Sequence, residues 1–220
     1  MKTTDNFKPA AAIFDMDGLM LDTERPMVAA WVEAGKIMGW KITEETAIRT
    51  IGFTGEDTKK ICMNDMGPEF PFDQFEIILH QVFIKMFSNG ITVKPGLIEL
   101  LDHLASLKIP VAVATSTYRD FAFTKLKNAG IPDRFKILAC GDEVVNGKPA
   151  PDIFLLAAKR LEKNPIECIG FEDSAAGLNG LHAAGIRSIF VKDLIEPPDD
   201  VLATVWHRCG DLSEAIKFIN

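Results

Sequence analysis

Basic residues are in the minority in this chain: 24 lysines and arginines stand against 31 aspartates and glutamates, a net charge of −7. A nucleic-acid backbone calls for an excess of Lys and Arg, so a nucleic-acid-binding surface is not expected, although a local cationic pocket can still hold one small phosphate. No run of 18 apolar residues exists, so no membrane span is expected. Residues Met1 to Pro9 are polar and lack the apolar centre of a secretory leader. Cysteine is scarce as well: Cys62, Cys140, Cys168 and Cys209 are scattered without C-x-x-C spacing. That pattern disfavours zinc and fits free thiols in a reducing compartment, so a cytoplasmic location is expected. Internal repeats and low-complexity segments are lacking. With 47% hydrophobic and 25% charged residues the chain has the composition of an ordinary globular protein, and a monomer is its expected state.

After residue 95, short apolar runs alternate with helical patterns. Strands are expected at Ala10 to Phe14, Pro110 to Thr115, Ile137 to Cys140, Ile166 to Phe171 and Ile186 to Val191. Between them lie helices carrying Leu97, Leu100, Leu101, Leu104 and Leu107, then Phe121 to Ala129, Asp152 to Leu161 and Ser174 to Ala184. A last helix is expected over Leu212 to Ile219, capped by Asp211. Such alternation predicts an α/β fold, a Rossmann-like parallel sheet with helices on both faces. Residues 24 to about 90 break the alternation with four helical segments and no strand. They read as an inserted helical bundle, dividing the chain into a core of residues 1–22 and 92–220 and a cap of residues 23–91.

Four patches make sense together. Asp15-Met16-Asp17-Gly18, Thr115-Ser116 and Glu172-Asp173 each follow an expected strand, and Lys148-Pro149 is expected to open a helix. Ligands of open α/β sheets bind outside the carboxyl ends of the strands. Acidic pairs suit Mg²⁺, while a lysine and a hydroxyl suit phosphate. A strand-end carboxylate beside Mg²⁺ can attack a phosphoryl group, the metal offsetting the repulsion between two anions. A second carboxyl two residues on can protonate the leaving oxygen and later activate water, and Gly18 lets the chain turn away at once.

These residues resemble the four motifs of the haloacid dehalogenase-like hydrolases, in the phosphatase and phosphomutase branch. The first motif is carried by Ile13-Phe14-Asp15-Met16-Asp17-Gly18-Leu19-Met20-Leu21-Asp22-Thr23-Glu24, the second by Ala114-Thr115-Ser116. Gly147-Lys148-Pro149-Ala150-Pro151-Asp152 resembles the third and Gly170-Phe171-Glu172-Asp173-Ser174 the fourth. The helical insertion is similar to the family's small cap, which would close over substrate. The resemblance implies Asp15 as nucleophile and Asp17 as general acid and base. It implies Mg²⁺ held by the Asp15 carboxylate, the Asp17 carbonyl and Asp173, with Glu172 as ligand or close partner. Thr115, the Ser116 N–H and Lys148 would bind the transferring phosphoryl group of a small phosphorylated metabolite, a sugar phosphate or a nucleoside or pseudouridine monophosphate.

The nearest rival reading is a β-phosphoglucomutase. Those enzymes carry a cap histidine and a cap arginine where this chain has Met27 and Gly55, although Arg25, Arg49 or Lys59 lies near enough in sequence to substitute. A non-catalytic phosphate-binding or signalling module is the alternative from another class, and a receiver domain is disfavoured by the order of its acidic, Thr and Lys residues. Trp31, Trp40 and the stripe Phe72, Phe75, Ile78, Leu79, Val82, Phe83 and Met86 are expected to pack. His80, His103, His182 and His207 lack ligand-spaced partners, and Arg119 is placed to reach substrate or to play a structural part.

Overall fold

The structure, a computed structural model, describes residues 7–51, 56–87 and 90–220. Among these residues six strands form one sheet: β1 (Ala11–Phe14), β2 (Val111–Thr115), β3 (Ile137–Cys140), β4 (Cys168–Glu172), β5 (Arg187–Val191) and β6 (His207–Cys209). Their order is β3-β2-β1-β4-β5-β6 and every neighbouring pair is parallel. Strands β1 and β4 are buried along their whole length, which is why they read as continuous apolar runs rather than as an alternation.

The sheet's two faces differ in the size of their side chains. Ala11, Ile13, Ala112, Ala114, Ala139 and Cys168 meet Ile153, Phe154, Ala157 and Ala158 of α7 (Asp152–Arg160) and Leu181 of α8 (Ala175–Ala183) in one cluster. Small strand residues let these helices approach closely. The next residue along each strand faces the other way, and there Phe14 stacks on Phe171 at 4.6 Å with Phe135 edge-on at 5.9 Å. Burying each such ring is worth about 1.5–3 kcal/mol, and the stacked pair adds about 0.5–1.5 kcal/mol.

The chain divides into two compact units, Met1–Leu21 with Thr92–Asn220, and Asp22–Ile91. The second contains α1 (Glu24–Met38), α2 (Glu44–Arg49), α3 (Glu56–Met66) and α4 (Phe72–Met86), with no strand among its described residues. Its core is aromatic. Trp31 packs edge-on to Phe75 at 4.9 Å, Phe70 lies 5.3 Å from Phe75, and Trp40 meets Phe70 at 5.2 Å. The α4 stripe is buried at Phe72 and Phe75, half-buried at Ile78, Leu79, Val82 and Phe83, and exposed at Met86. The Thr43 hydroxyl caps α2 by accepting the Thr46 N–H at 3.1 Å.

Two local expectations need correction. Lys148 does not open a helix: α7 begins at Asp152, and Lys148 lies in the turn before it. Residues preceding proline are pushed out of the helical region, and Lys148 and Ala150 precede Pro149 and Pro151. The terminal segment Leu212–Phe218 is a 3₁₀ helix rather than an α-helix, although Asp211 does cap it, accepting the Ser213 N–H at 2.8 Å. Strand β6 and the one-turn helix α9 (Asp199–Leu202) went unpredicted, being too short and too polar to show a period.

One polar knot ties the sheet edge to its helices. Glu143, in the turn after β3, accepts the Cys140 N–H at 2.9 Å. It also accepts two bonds from Arg119 of α6 (Arg119–Asn128), at 3.0 and 2.7 Å, and two from Arg160 of α7, at 2.8 and 3.0 Å. Hydrogen bonds from Arg160 above all hold the Glu143 carboxyl down at about 2; burial, the next largest effect, opposes them, and bonds from Arg119 and the Cys140 amide add to the lowering. The carboxylate's stabilisation is therefore complete above its ordinary value of 4.5 and is lost as pH falls toward 2. Glu143→Gln should cost about 1–2 kcal/mol at neutral pH, after discounting for solvent screening. In urea unfolding the gap between wild type and variant should close on acidification through that window.

Candidate active site

The strand order reverses beside β1: β2 and β3 lie on one side of it, β4 to β6 on the other. That reversal opens a crevice at the strands' carboxyl ends. Asp15 leaves β1 there, its N–H donating to the Phe171 carbonyl of β4 at 3.0 Å. Glu172 ends β4 and is fully buried. One of its oxygens accepts the N–H groups of Asp173 and Ser174 at 2.9 and 2.8 Å and the Ser174 hydroxyl at 3.0 Å. The Ser174 Oγ in turn accepts the Gly177 N–H at 3.0 Å, starting α8. A Cβ on Gly177 would sit 1.7 Å from the other Glu172 oxygen, so only glycine lets this helix start against the carboxylate.

Lys148 joins the two strand ends. Its ammonium bonds Asp15 Oδ1 and reaches Glu172 Oε1 at 2.6 Å, with only 7% of its side chain exposed. One oxygen from each of Asp15, Glu172 and Asp173 lies within 4.8 Å of the others. Lys148 thus pairs with two of the three gathered carboxylates. Burial pushes the Asp15 carboxyl up to about 8, opposed by Lys148 and reinforced by Glu172 and Asp17. Burial acts to lower Lys148, but Asp15 and Glu172 outweigh it and hold the ammonium above the ordinary lysine range. Hard carboxylate oxygens gathered this closely are the donor set that a small divalent cation takes, so the residues present fit one.

Between Asp15 and Leu21 the chain folds back on itself. Met16, Leu19, Met20 and Leu21 are fully buried, the Gly18 N–H donates to the Leu21 carbonyl at 3.0 Å, and Asp17 bridges Leu21. Gly18 has φ +81°, and a Cβ there would lie 2.3 Å from Asp173 Oδ2. Glycine is thus required twice over, by backbone handedness and by the carboxylate pressed against it. The Asp17 carboxylate takes a hydroxyl bond from Thr117 at 2.7 Å and an ammonium bond from Lys125 at 2.7 Å.

Thr115 ends β2 and Ser116 follows it, the strand lying beside β1 in the register Phe14↔Val113. The buried Thr115 hydroxyl accepts the Thr117 N–H at 3.1 Å, which leaves its own proton to donate. Ser116 is exposed. The structure thus gathers Asp15, Glu172 and Asp173, sets Lys148 on the first two, and sets Asp17 and the Thr115–Thr117 turn beside one another. Arg119 is instead held by Glu143 and the Leu138 carbonyl. His103 bonds the Ile219 carbonyl at 2.9 Å and His207 stacks on Phe218, both packing roles.

Thr117, Lys125 and the buried pair of Lys94 with Asp193, 2.5 Å apart, went unnoticed in the sequence. Only the third hydroxyl of Thr115-Ser116-Thr117 offered a signal. Lys125 reads as any lysine on a solvated helix. In the helical unit, Arg25, Arg49 and Lys59 each pair with a carboxylate, Asp22, Asp65 and Asp73 respectively. Gly55 lies outside the described residues, as does most of the loop from Ile51 to Asp57 expected to select substrate. Among the described residues no helix is long and apolar enough to cross a membrane.

The family model for haloacid dehalogenase-like hydrolases matches residues 12–191. The phosphorylated carbohydrates phosphatase of Thermotoga maritima is 33% identical over 180 residues, covering 82% of this chain and 83% of that protein. A Drosophila melanogaster protein provisionally assigned as a pseudouridine-5'-phosphatase is 34% identical over 195 residues, covering 84% and 83%. A Thermotoga maritima crystal structure provisionally assigned as a β-phosphoglucomutase superposes with a TM-score of 0.79 at 30% identity, covering 94% of this chain and 96% of that one. With the strand order, the acidic pair after β1 and the buried lysine already in place, the chain belongs to the haloacid dehalogenase-like hydrolases, as an enzyme of their phosphatase and β-phosphoglucomutase branch.

Proposed function

We propose that the protein is a Mg²⁺-dependent phosphomonoester hydrolase of small phosphorylated metabolites, working through an aspartyl-phosphate. The observation that carries this reading is the Lys148 ammonium shared between Asp15 and Glu172 at the point where the strand order reverses. In the first step an Asp15 oxygen attacks phosphorus while the bond from phosphorus to the alcohol oxygen breaks. Asp17 delivers its proton to that oxygen, and the alcohol leaves. Water then attacks the phosphorus and gives its proton to Asp17. The bond to Asp15 breaks, orthophosphate departs, and both carboxyls return to their starting state.

Lys148, the Thr115 hydroxyl and the Ser116 N–H hold the phosphoryl oxygens through both steps, fixing the in-line geometry. Asp15, the Asp17 carbonyl and Asp173 would hold Mg²⁺, with Glu172 adjoining. Bound there, the ion offsets the charge that a carboxylate nucleophile and an anionic substrate bring together. Positioned proton transfer by Asp17 is worth ~10²–10⁴-fold.

The substrate class, a sugar phosphate or a nucleoside or pseudouridine monophosphate, is supported by the names of the phosphatases this chain resembles. Hydrolysis is favoured over a mutase reaction by Met27 at the expected position of the mutase histidine, and by the engagement of Arg25, Arg49 and Lys59 with carboxylates. The four free, buried thiols fit a cytoplasmic enzyme, acting as a monomer.

Phosphate release from a panel of hexose phosphates, nucleoside and pseudouridine monophosphates and β-glucose 1-phosphate should require both Mg²⁺ and Asp15. Asp15→Asn should abolish turnover, and full metal-dependent activity in that variant would sink the mechanism. Glucose 6-phosphate formed from β-glucose 1-phosphate without free phosphate would establish the mutase instead. Lys148→Met should weaken competitive inhibition by orthophosphate at least tenfold. It should also cost about 3–5 kcal/mol in urea unfolding, because it strands buried carboxylates without their cation.

A further inference from the structure

Both oxygens of the Asp17 carboxylate are spoken for. Lys125 Nζ donates to Oδ1 at 2.7 Å, Thr117 Oγ1 donates to Oδ2 at 2.7 Å, and the ammonium also reaches Thr117 Oγ1 at 3.3 Å. The three groups close a triangle that is largely withdrawn from solvent, with 16% of the Lys125 and 22% of the Asp17 side chain exposed. A surface lysine paired with a surface acid contributes little, but here each corner is delivered by a separately anchored piece of backbone.

The Asp17 backbone is pinned by its bridge to Leu21. Thr117 is pinned by its N–H bond to the Thr115 hydroxyl. Lys125 rides on α6, which is fastened at its first residue by the Arg119 N–H to Asp142 at 3.0 Å and by the Arg119–Glu143 fork, and further along by the buried Ala122 and Leu126. Resting on the hydrolase reading above, we propose that Lys125, together with Thr117, is the positioning device for Asp17, holding its carboxyl in one rotamer toward the leaving oxygen.

The arrangement also links two functions. The same short turn after β2 offers the Thr115 hydroxyl to the phosphoryl group and the Thr117 hydroxyl to Asp17. A phosphoryl group seated on Thr115 therefore sits at a set distance from the proton carrier. A lysine suits this corner because an ammonium donates up to three bonds and accepts none, so it can serve Asp17 and Thr117 at once without competing for the proton that Asp17 carries. Lys125 is placed to act through Asp17, whose Oδ1 its ammonium bonds directly.

The test compares wild type with Lys125→Met, Lys125→Arg and Thr117→Val on two probes, glucose 6-phosphate and p-nitrophenyl phosphate. The sugar alkoxide needs a proton to leave, whereas p-nitrophenolate leaves with little help. If Lys125 positions Asp17, kcat/KM for glucose 6-phosphate falls about 10²-fold in Lys125→Met, much less for p-nitrophenyl phosphate, and Lys125→Arg recovers most of the loss. Thr117→Val shows the same leaving-group bias with a smaller amplitude. An equal loss on both probes, no loss, or a rise in turnover overturns the proposal.

A crystal structure of Lys125→Met provides an arm independent of activity. The Asp17 carboxyl is expected to leave its present rotamer, and finding it unmoved on Thr117 also overturns the proposal. Absence of Asp15-dependent phosphate release from wild type would defeat the hydrolase reading alone, leaving the structural arm to decide the role of Lys125.

Discussion

Three carboxylates converge where two neighbouring strands end, and one buried lysine stands among them. Ionised groups out of water are costly unless each is paired or hydrogen-bonded, and the surrounding architecture meets that demand. Lys148 spans Asp15 and Glu172. The oxygen of Glu172 that bonds Asp173 and Ser174 sits at the start of α8, where amide hydrogens point outward with no partner inside the helix. The three carboxylates gathered there mark the place as suited to a cation.

Backbone must come unusually close to these carboxylates, and that accounts for two glycines. At Gly177 the first turn of α8 would otherwise drive a methyl into Glu172, and at Gly18 the returning loop would drive one into Asp173. The fully buried side chains of Met16, Leu19, Met20 and Leu21 hold that loop in place. The apolar residues between the two motif aspartates and the rest of the chain thus act as an anchor, so that the placement of Asp17 is set by the core beneath it. The clamp on its carboxylate by Thr117 and Lys125 completes from above what the buried loop begins from below.

The helical unit follows a different logic. Its interior is built on Trp31, Phe70, Phe72 and Phe75, large buried rings packed against one another. Its cations near the expected mutase positions are engaged in ion pairs within the same unit. Tryptophans that could stack on a sugar are used for packing, Trp31 buried and Trp40 set edge-on against Phe70.

Much of the fold was legible because buried parallel strands and amphipathic helices each leave a periodic trace. Strands β1 to β5, the helices between them and the polar residues at their ends could be read from apolar runs and punctuation alone. Short elements such as α9 and β6 left no period, the terminal 3₁₀ segment passed for an α-helix, and two prolines moved Lys148 out of the helix it was expected to open. The sequence by itself determined which residue types stand at the strand ends, Asp15, Asp17, Thr115, Glu172 and Asp173, and in the turn before α7, Lys148, because motif chemistry is local. Only the tertiary structure decided that Lys148 lies between Asp15 and Glu172, that Arg119 turns to Glu143, and that Lys125 on α6 meets Asp17 from 108 positions away. Those pairings depend on which strands lie side by side and how their connecting helices pack, and no spacing within one segment carries that information.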